Sequence, residues 1–249
     1  MSNAKIPTMV ATTFLASILS FSAPTYAAEK HVMVFGDSNA WGWMPTPNIA
    51  PTTRYPENMR WPNVMAEQLG QEFEVINESL SGRTAASPDP TVSVNGAGRN
   101  GLEYLPVAIA SHMPLDLVVI MLGTNDTKPF LKRGTLDIGL DIMRLVSEVQ
   151  KDTGIATTYR PAKVLVVVPP PLGKIADVKF WKDEFPEASV KESEELASVV
   201  CPLAAAIKVP CFDAGSVVTI TSVDGVHMTP EDHRKLGTAI AAEVRKILP

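Results

Sequence analysis

Two short motifs in the chain contain the residue types that serine-dependent acyl transfer requires. Residues 36–38 read Gly-Asp-Ser and present Ser38 at a turn that follows an apolar run. Residues 224–227 read Asp-Gly-Val-His, so Asp224 precedes His227 by three positions. In a helical turn these side chains point the same way, and the carboxylate can hold Nδ1–H while Nε2 takes a proton. The spacing predicts Ser38 as nucleophile, His227 as general base and Asp224 as the group that orients the base.

Two further motifs supply candidate donors for the oxyanion of such a reaction. Gly82 lies in the sequence Ser-Gly-Arg, and its missing Cβ would let a substrate approach the backbone closely. Asn125 lies in the sequence Gly-Thr-Asn-Asp and carries a side-chain amide. We expect the backbone N–H groups of Ser38 and Gly82 and the amide of Asn125 to bind the oxyanion. Each motif alone is more often an ordinary turn, so the prediction depends on the fold bringing all of them together.

The elements that must position these motifs alternate between strand and helix. Continuous apolar runs predict buried strands at residues 31–35, 73–77, 117–122, 164–168 and 209–213. Helical periodicity predicts helices near residues 60–70, 102–112, 135–151, 189–208 and 230–248. This alternation predicts an α/β fold with a doubly wound parallel sheet. The four motifs follow predicted strands, and ligands of such sheets bind at the carboxyl ends of the strands.

Composition and charge exclude several other classes of protein. The 249 residues include 22 Lys and Arg against 27 Asp and Glu, for a formal net charge of −5. This acidic balance argues against a nucleic-acid partner, which normally requires a basic face. No apolar run reaches the roughly 18 residues of a membrane-spanning helix. We also expect no metal site, because neither C-x-x-C nor H-E-x-x-H spacing occurs.

The amino-terminal segment has the layout of a secretory signal peptide. Lys5 precedes an apolar stretch over residues 6–21, and the small residues Thr25 and Ala27 follow it. We therefore expect residues 1–27 to be an export signal and residues 28–249 to form one domain that acts in the periplasm or outside the cell.

Cys201 and Cys211 fall in a predicted helix and in the strand that follows it. A disulfide between them would suit an oxidising compartment, but two small unbonded core residues fit the sequence as well. Both alternatives stay open at this point.

Three connections are longer than is usual in a compact domain: residues 40–59, 83–101 and 169–188. Long loops of this kind are typical of binding sites and lids, and the alternative is surface decoration or an oligomer contact.

Taken in order, these motifs resemble the four sequence blocks of the SGNH (GDSL) hydrolase family. The resemblance implies a flavodoxin-like, three-layer α/β/α fold with a five-stranded parallel sheet, and serine esterase chemistry with no cofactor. It implies the roles already expected for Ser38, Gly82, Asn125, Asp224 and His227. One departure follows the nucleophile, where this chain has Asn39 and many members have Leu. We expect this change to alter the pocket wall and not the chemistry.

A closer resemblance, to the bacterial arylesterase/acyltransferase branch, runs along nearly the whole chain after residue 30. It is carried by segments such as FGDSNAWGWMP, SLSGRT, PLDLVVIMLGTNDTK and VDGVHMT. The resemblance implies short-chain ester substrates, alcohols as acyl acceptors, a homo-oligomer that is often an octamer, and a channel-forming role for Trp43. Two alternatives remain: an exported carbohydrate or cell-wall acetylesterase with the same triad, and a non-catalytic binding module of the same fold.

Overall fold

The computed structural model of the protein describes Met1 and residues 29–48, 53–91, 97–151 and 159–249. The expected signal peptide lies outside the described residues, apart from Met1. Within the described part, no helix is long and apolar enough to cross a membrane.

A five-stranded, all-parallel sheet forms the centre of the fold. Its strands are β1 (Lys30–Gly36), β2 (Phe73–Asn77), β3 (Leu117–Met121), β4 (Lys163–Val168) and β5 (Cys211–Asp213), in the spatial order β2-β1-β3-β4-β5. The helices are α1 (Ser38–Trp41), α2 (Trp61–Leu69), α3 (Gly101–His112), α4 (Thr135–Gln150), α5 (Lys179–Glu184), α6 (Glu187–Ala206) and α7 (Pro230–Ile247). The predicted α/β fold with a parallel sheet is confirmed.

Helices cover both faces of the sheet, which explains why its central strands are mostly apolar. In β1, Val32 and Val34 pack in a cluster with residues of α2 and α7. Met33 and Phe35 point the other way, into a cluster with residues of α3, α4 and α6. Only the first two residues of β1, Lys30 and His31, are partly exposed, and the five that follow are buried.

The strand order brings the candidate residues together at the carboxyl ends of the strands. The chain passes from β1 to β2 on one side and then returns to pair β3 on the other side of β1. Gly36 at the end of β1 is in register with Met121 at the end of β3. The segments that follow these two strands therefore emerge side by side, in the crevice where such sheets bind ligands.

The structure contains one short helix, α1, that was not predicted, and it differs from the predictions in two further elements. The last strand begins at Cys211, two residues later than expected, and the short helix α5 lies within the segment 169–188 that was predicted as a loop. The cysteine pair is also resolved, because Cys201 of α6 and Cys211 of β5 form a disulfide with their Cα atoms 5.4 Å apart.

Candidate active site

The turn after β1 presents Ser38 at the start of α1. Asp37 caps this one-turn helix, its Oδ1 accepting a hydrogen bond from the backbone N of Asn39 at 2.9 Å. The turn is tight enough to require glycine before it, since a Cβ at Gly36 would lie 2.7 Å from the Cβ of Ala40. Ser38 is thereby held at the carboxyl end of β1, where only 5% of it is exposed.

The turn before α7 carries Asp224 and His227. Asp224 Oδ1 accepts hydrogen bonds from the backbone N atoms of Val226 at 2.9 Å and His227 at 3.0 Å, which closes the turn on itself. Gly225 has φ +77°, and a Cβ there would lie 2.3 Å from the carbonyl oxygen of Lys174. Only glycine fits this conformation and this close approach.

The three predicted residues form one hydrogen-bonded chain. Asp224 Oδ2 lies 2.9 Å from Nδ1 of His227, and Nε2 of the same ring lies 3.0 Å from Oγ of Ser38. Burial alone would raise the pKa of Asp224, but hydrogen bonds and charge from His227 outweigh it and hold that pKa below its usual value. An ionised carboxylate only accepts hydrogen bonds, so Nδ1 carries a proton, and in the neutral ring Nε2 is then the acceptor for the serine hydroxyl.

Gly82 and Asn125 line the same cavity as Ser38, with a volume of about 330 Å³. Gly82 has φ +78°, and a Cβ on it would lie 2.8 Å from Cζ of Arg99, so the guanidinium packs against the glycine backbone. Asn125 opens a 3₁₀ turn after β3, and its Nδ2 donates to the carbonyl oxygen of Arg83 at 3.1 Å. The same Nδ2 lies at the longer distance of 3.5 Å from Oδ2 of Asp37. Every residue predicted for the oxyanion hole is therefore at the cavity.

Residues 34–235 of the chain match the model of the GDSL-like lipase/acylhydrolase family. The chain belongs to this family. The match covers most of the chain and includes all of the candidate residues described so far.

Solved structures give the same result at high identity. An aryl esterase from M. smegmatis is 46% identical, with a TM-score of 0.83 over 88% of this chain and 99% of that one. Est24, a carbohydrate acetylesterase from Sinorhizobium meliloti, is 40% identical, with a TM-score of 0.83 over 88% of this chain and 100% of that one. No functionally curated protein gave a significant match. The family and these neighbours make the chain a carboxylic ester hydrolase, a serine esterase of the SGNH type.

Two tryptophans enclose the imidazole of His227 in this esterase. Trp43 stacks on the ring, with centroids 5.2 Å apart and planes inclined by 17°. Trp181 of α5 meets the same ring edge-on at 5.7 Å. Both Trp43 and Trp181 line the cavity, and the sequence indicates Trp181 only as one of the aromatic residues of the long segment 169–188. Length and aromatic content together predict that this segment is a binding loop.

Two buried carboxyl groups support the site without facing a substrate. Burial raises the pKa of Asp37 to about 6 and that of Asp126 to about 7. Asp126 accepts hydrogen bonds from the backbone N of Ala85 through both oxygens, at 2.9 and 3.1 Å, and so ties the turn after β3 to the segment after Gly82. These acids hold the loops of the esterase in place.

Asn39 does not line the cavity, contrary to the expectation from the resemblance. It is 2% exposed, and its amide is directed toward the backbone on either side of His227. The departure from the family pattern therefore lies between the nucleophile and the base.

Among the described residues, one group of three side chains could hold a metal ion together: Glu29, His31 and Glu74. His31 belongs to the amino-terminal end of β1, whereas Ser38 follows its carboxyl end. The group therefore lies away from the cavity and offers it no ligand.

A buried histidine joins the two helices that pack on one face of the sheet. Nδ1 of His233 in α7 accepts a hydrogen bond from the backbone N of Trp61, the first residue of α2, at 3.2 Å. Burial lowers the pKa of His233 to about 4, although the nearby Asp232 opposes this effect. A protonated ring would have no lone pair for the N–H of Trp61, so the fold requires the neutral form.

We expect this histidine to destabilise the esterase in mild acid. The pKa of His233 is depressed from 6.5 to about 4 by folding, so its contribution is present above pH 6.5 and is lost as pH falls toward 4. The free energy of unfolding should fall by about 2 kcal/mol more in the wild type than in His233→Asn between about pH 7.5 and pH 5. Asp37 and Asp126 titrate in both proteins and cancel in the difference. Urea unfolding at the two pH values measures this free energy. An equal decrease in both proteins would contradict the depressed pKa of His233.

Proposed function

We propose that the protein hydrolyses short-chain carboxylic esters through an acyl-enzyme on Ser38 and transfers the acyl group to alcohols as well as to water. One observation carries the proposal: the continuous chain of hydrogen bonds from Asp224 through His227 to Ser38, at a cavity that also contains Gly82 and Asn125. A binding module of the same fold would have no need of a base oriented onto a hydroxyl. The cavity of about 330 Å³ is at the small end for ligand sites, which favours short acyl groups.

The first half of the reaction forms the acyl-enzyme. Nε2 of His227 takes the proton of Ser38 as Oγ bonds to the ester carbonyl carbon, and the carbonyl electron pair moves onto oxygen. The backbone N–H groups of Ser38 and Gly82 and the amide of Asn125 donate to this oxyanion. When the oxyanion collapses, the bond to the leaving oxygen breaks and His227 gives its proton to that oxygen.

The second half repeats these steps with a new nucleophile. Water or an alcohol gives its proton to Nε2, bonds to the acyl carbon and releases Ser38, which recovers the proton. The walls that Trp43, Trp181 and Phe185 contribute to the cavity are aromatic, and such a surface favours an alcohol over bulk water. This is the physical basis for proposing acyl transfer.

Asn125→Ala is expected to lower kcat for an aryl acetate by about 10²–10³-fold, because it removes one oxyanion donor. Thr127→Val is the matched control. Its hydroxyl donates to the carbonyl oxygen of Thr124 at 2.8 Å in the same turn, so this variant loses a buried hydrogen bond without losing an oxyanion donor. The measurement is kcat of both variants with a chromogenic acetate. A change below about threefold in Asn125→Ala would remove the amide from the oxyanion hole.

The proposal as a whole is tested by covalent trapping and by product partition. An organophosphonate should label Ser38 alone, identified by mass spectrometry of the digested protein. A chromogenic acetate with added alcohol should then yield the new ester beside free acetate. Labelling at any other residue would overturn the mechanism, and free acetate as the sole acyl product at every alcohol concentration would overturn acyl transfer.

A carbohydrate acetylesterase activity is the second candidate, because part of the cavity is polar. Two ion pairs reach its wall: Lys128 with Glu184 at 2.7 Å and Arg99 with Asp89 at 2.9 Å. Such groups can hydrogen-bond sugar hydroxyls, and the 40% identical neighbour Est24 is a carbohydrate acetylesterase. Comparing kcat/KM for an aryl acetate and for an acetylated oligosaccharide decides between the two substrates.

We propose in addition that residues 1–27 direct export, that residues 28–249 are the mature domain and that this domain forms a homo-oligomer. The disulfide between Cys201 and Cys211 supports export, because such bonds persist in oxidising compartments. The intact mass of the protein recovered from the cell envelope and from the medium tests cleavage. Light scattering of the purified enzyme tests the oligomer.

A further inference from the structure

Asn39 makes two hydrogen bonds that enclose the candidate base. Its Nδ2 donates to the carbonyl oxygen of Val226 at 3.2 Å, and its Oδ1 accepts from the backbone N of Met228 at 3.0 Å. Val226 and Met228 are the residues immediately before and after His227. We call this pair of hydrogen bonds the Asn39 bridge.

The chemistry of the two backbone groups determines the orientation of the amide. A carbonyl oxygen can only accept and a backbone N–H can only donate, so a flipped amide would lose both hydrogen bonds. Val226 is 3% exposed and Met228 is fully buried. Within the described residues no other hydrogen bond reaches these two backbone groups, so the bridge alone satisfies them.

Ser38 and His227 are therefore joined by two independent routes. One is the hydrogen bond of 3.0 Å between Oγ and Nε2. The other runs through the peptide bond from Ser38 to Asn39 and then across the Asn39 bridge to both neighbours of His227. Asp224 already fixes the ring from the other side through Nδ1. The second route holds the backbone of the base at a set distance from the nucleophile.

We propose that Asn39 is a positioning residue, which keeps Nε2 of His227 within reach of Oγ of Ser38 during the proton transfers. It touches neither the cavity nor a reacting atom, so its effect passes through His227. Small displacements of a base are costly in such a reaction, because proton transfer requires hydrogen-bond distance in the transition state. The inference rests on the roles proposed above for Ser38 and His227.

Two variants of this residue test the inference. Asn39→Leu fills similar space and removes both hydrogen bonds, so kcat for a chromogenic acetate should fall about 10- to 100-fold while KM changes less than about threefold. Asn39→Asp provides a rescue that depends on pH. A protonated carboxyl can donate to the carbonyl of Val226 and accept from Met228, whereas an ionised carboxylate cannot donate. The kcat of Asn39→Asp relative to Asn39→Leu should be at least about threefold higher at pH 6 than at pH 9.

Ser193→Ala is the matched control for loss of buried hydrogen bonds. Oγ of Ser193 accepts from the backbone N of Leu172 at 2.9 Å and donates to the carbonyl oxygen of Val190 at 2.6 Å, and the residue is 4% exposed. We expect both Ser193→Ala and Asn39→Leu to lose thermal stability, whereas Ser193→Ala should keep kcat within about threefold of wild type. An equal loss of kcat in Ser193→Ala would overturn the positioning role.

The outcomes separate this inference from the proposed mechanism. Wild-type kcat in Asn39→Leu, or a ratio between the two variants that is the same at pH 6 and pH 9, would overturn the role of Asn39. If Ser38→Ala were inactive in the same assay, the proposed mechanism would stand even though the role of Asn39 had been overturned. An active Ser38→Ala would overturn both.

Discussion

Replacing Ser38 with alanine is expected to lower kcat for a chromogenic acetate about 10⁴-fold or more. The change removes the only protein atom that forms a bond to the acyl carbon in the proposed mechanism. It should leave the fold intact, because within the described residues Oγ hydrogen-bonds only to Nε2 of His227. The thermal unfolding temperature should therefore be nearly unchanged. The loss of activity would then come from the missing nucleophile and not from unfolded protein.

Ser81→Ala is the control for this prediction. Ser81 directly precedes Gly82 and lines the same cavity. Its replacement by alanine therefore also removes a hydroxyl group from the site. We expect kcat of Ser81→Ala to stay within about threefold of wild type. Comparable activity in Ser38→Ala and wild type would show that the nucleophile is another group.

Ser38 and Asn125 could be found from the sequence because each one follows a strand that is easy to recognise. A parallel strand covered on both faces is mostly apolar, so β3 and residues 32–35 of β1 are visible in the sequence as unbroken apolar runs. The position of Asp224 three residues before His227 was enough to predict how the carboxylate meets Nδ1. Local spacing and the topology of the sheet together account for the predicted site.

The contacts that the sequence did not reveal all depend on the path of the chain in three dimensions. The amide of Asn39 binds residues 187 and 189 positions away, and nothing in its own neighbourhood indicates that partner. Trp181 lies on a helix of six residues that has no side-chain cap and too few turns to show periodicity. The disulfide required the distance between Cys201 and Cys211, which follows from how α6 packs beside β5. Contacts of this kind can be identified only in the folded structure, even when the sequence already indicates the family.

Asp224→Asn is expected to lower kcat about 10⁴-fold by reversing the tautomer of His227. Five donors surround this carboxylate. Oδ1 accepts from Ser222 Oγ and from the backbone N atoms of Val226 and His227, and Oδ2 accepts from the backbone N of Thr46 and from Nδ1 of His227. The NH₂ group of an asparagine must replace one of the two oxygens.

The NH₂ group is less costly at the position of Oδ2. At the position of Oδ1 it would face two backbone N–H groups of the turn, and two donors cannot pair. The NH₂ would then face Nδ1, which can pair with it only by giving up its proton, so the proton moves to Nε2. An Nε2–H cannot take the proton of Ser38, and the base is lost although every atom stays close to its place.

Ser222→Ala is the control for Asp224→Asn, because it removes one donor from the carboxylate, at 3.1 Å, without changing the tautomer. Its kcat should stay within about tenfold of wild type. The rate of organophosphonate labelling at Ser38 should fall in Asp224→Asn in parallel with kcat, since both depend on proton removal by Nε2. A loss below about tenfold in Asp224→Asn would show that another group orients the base.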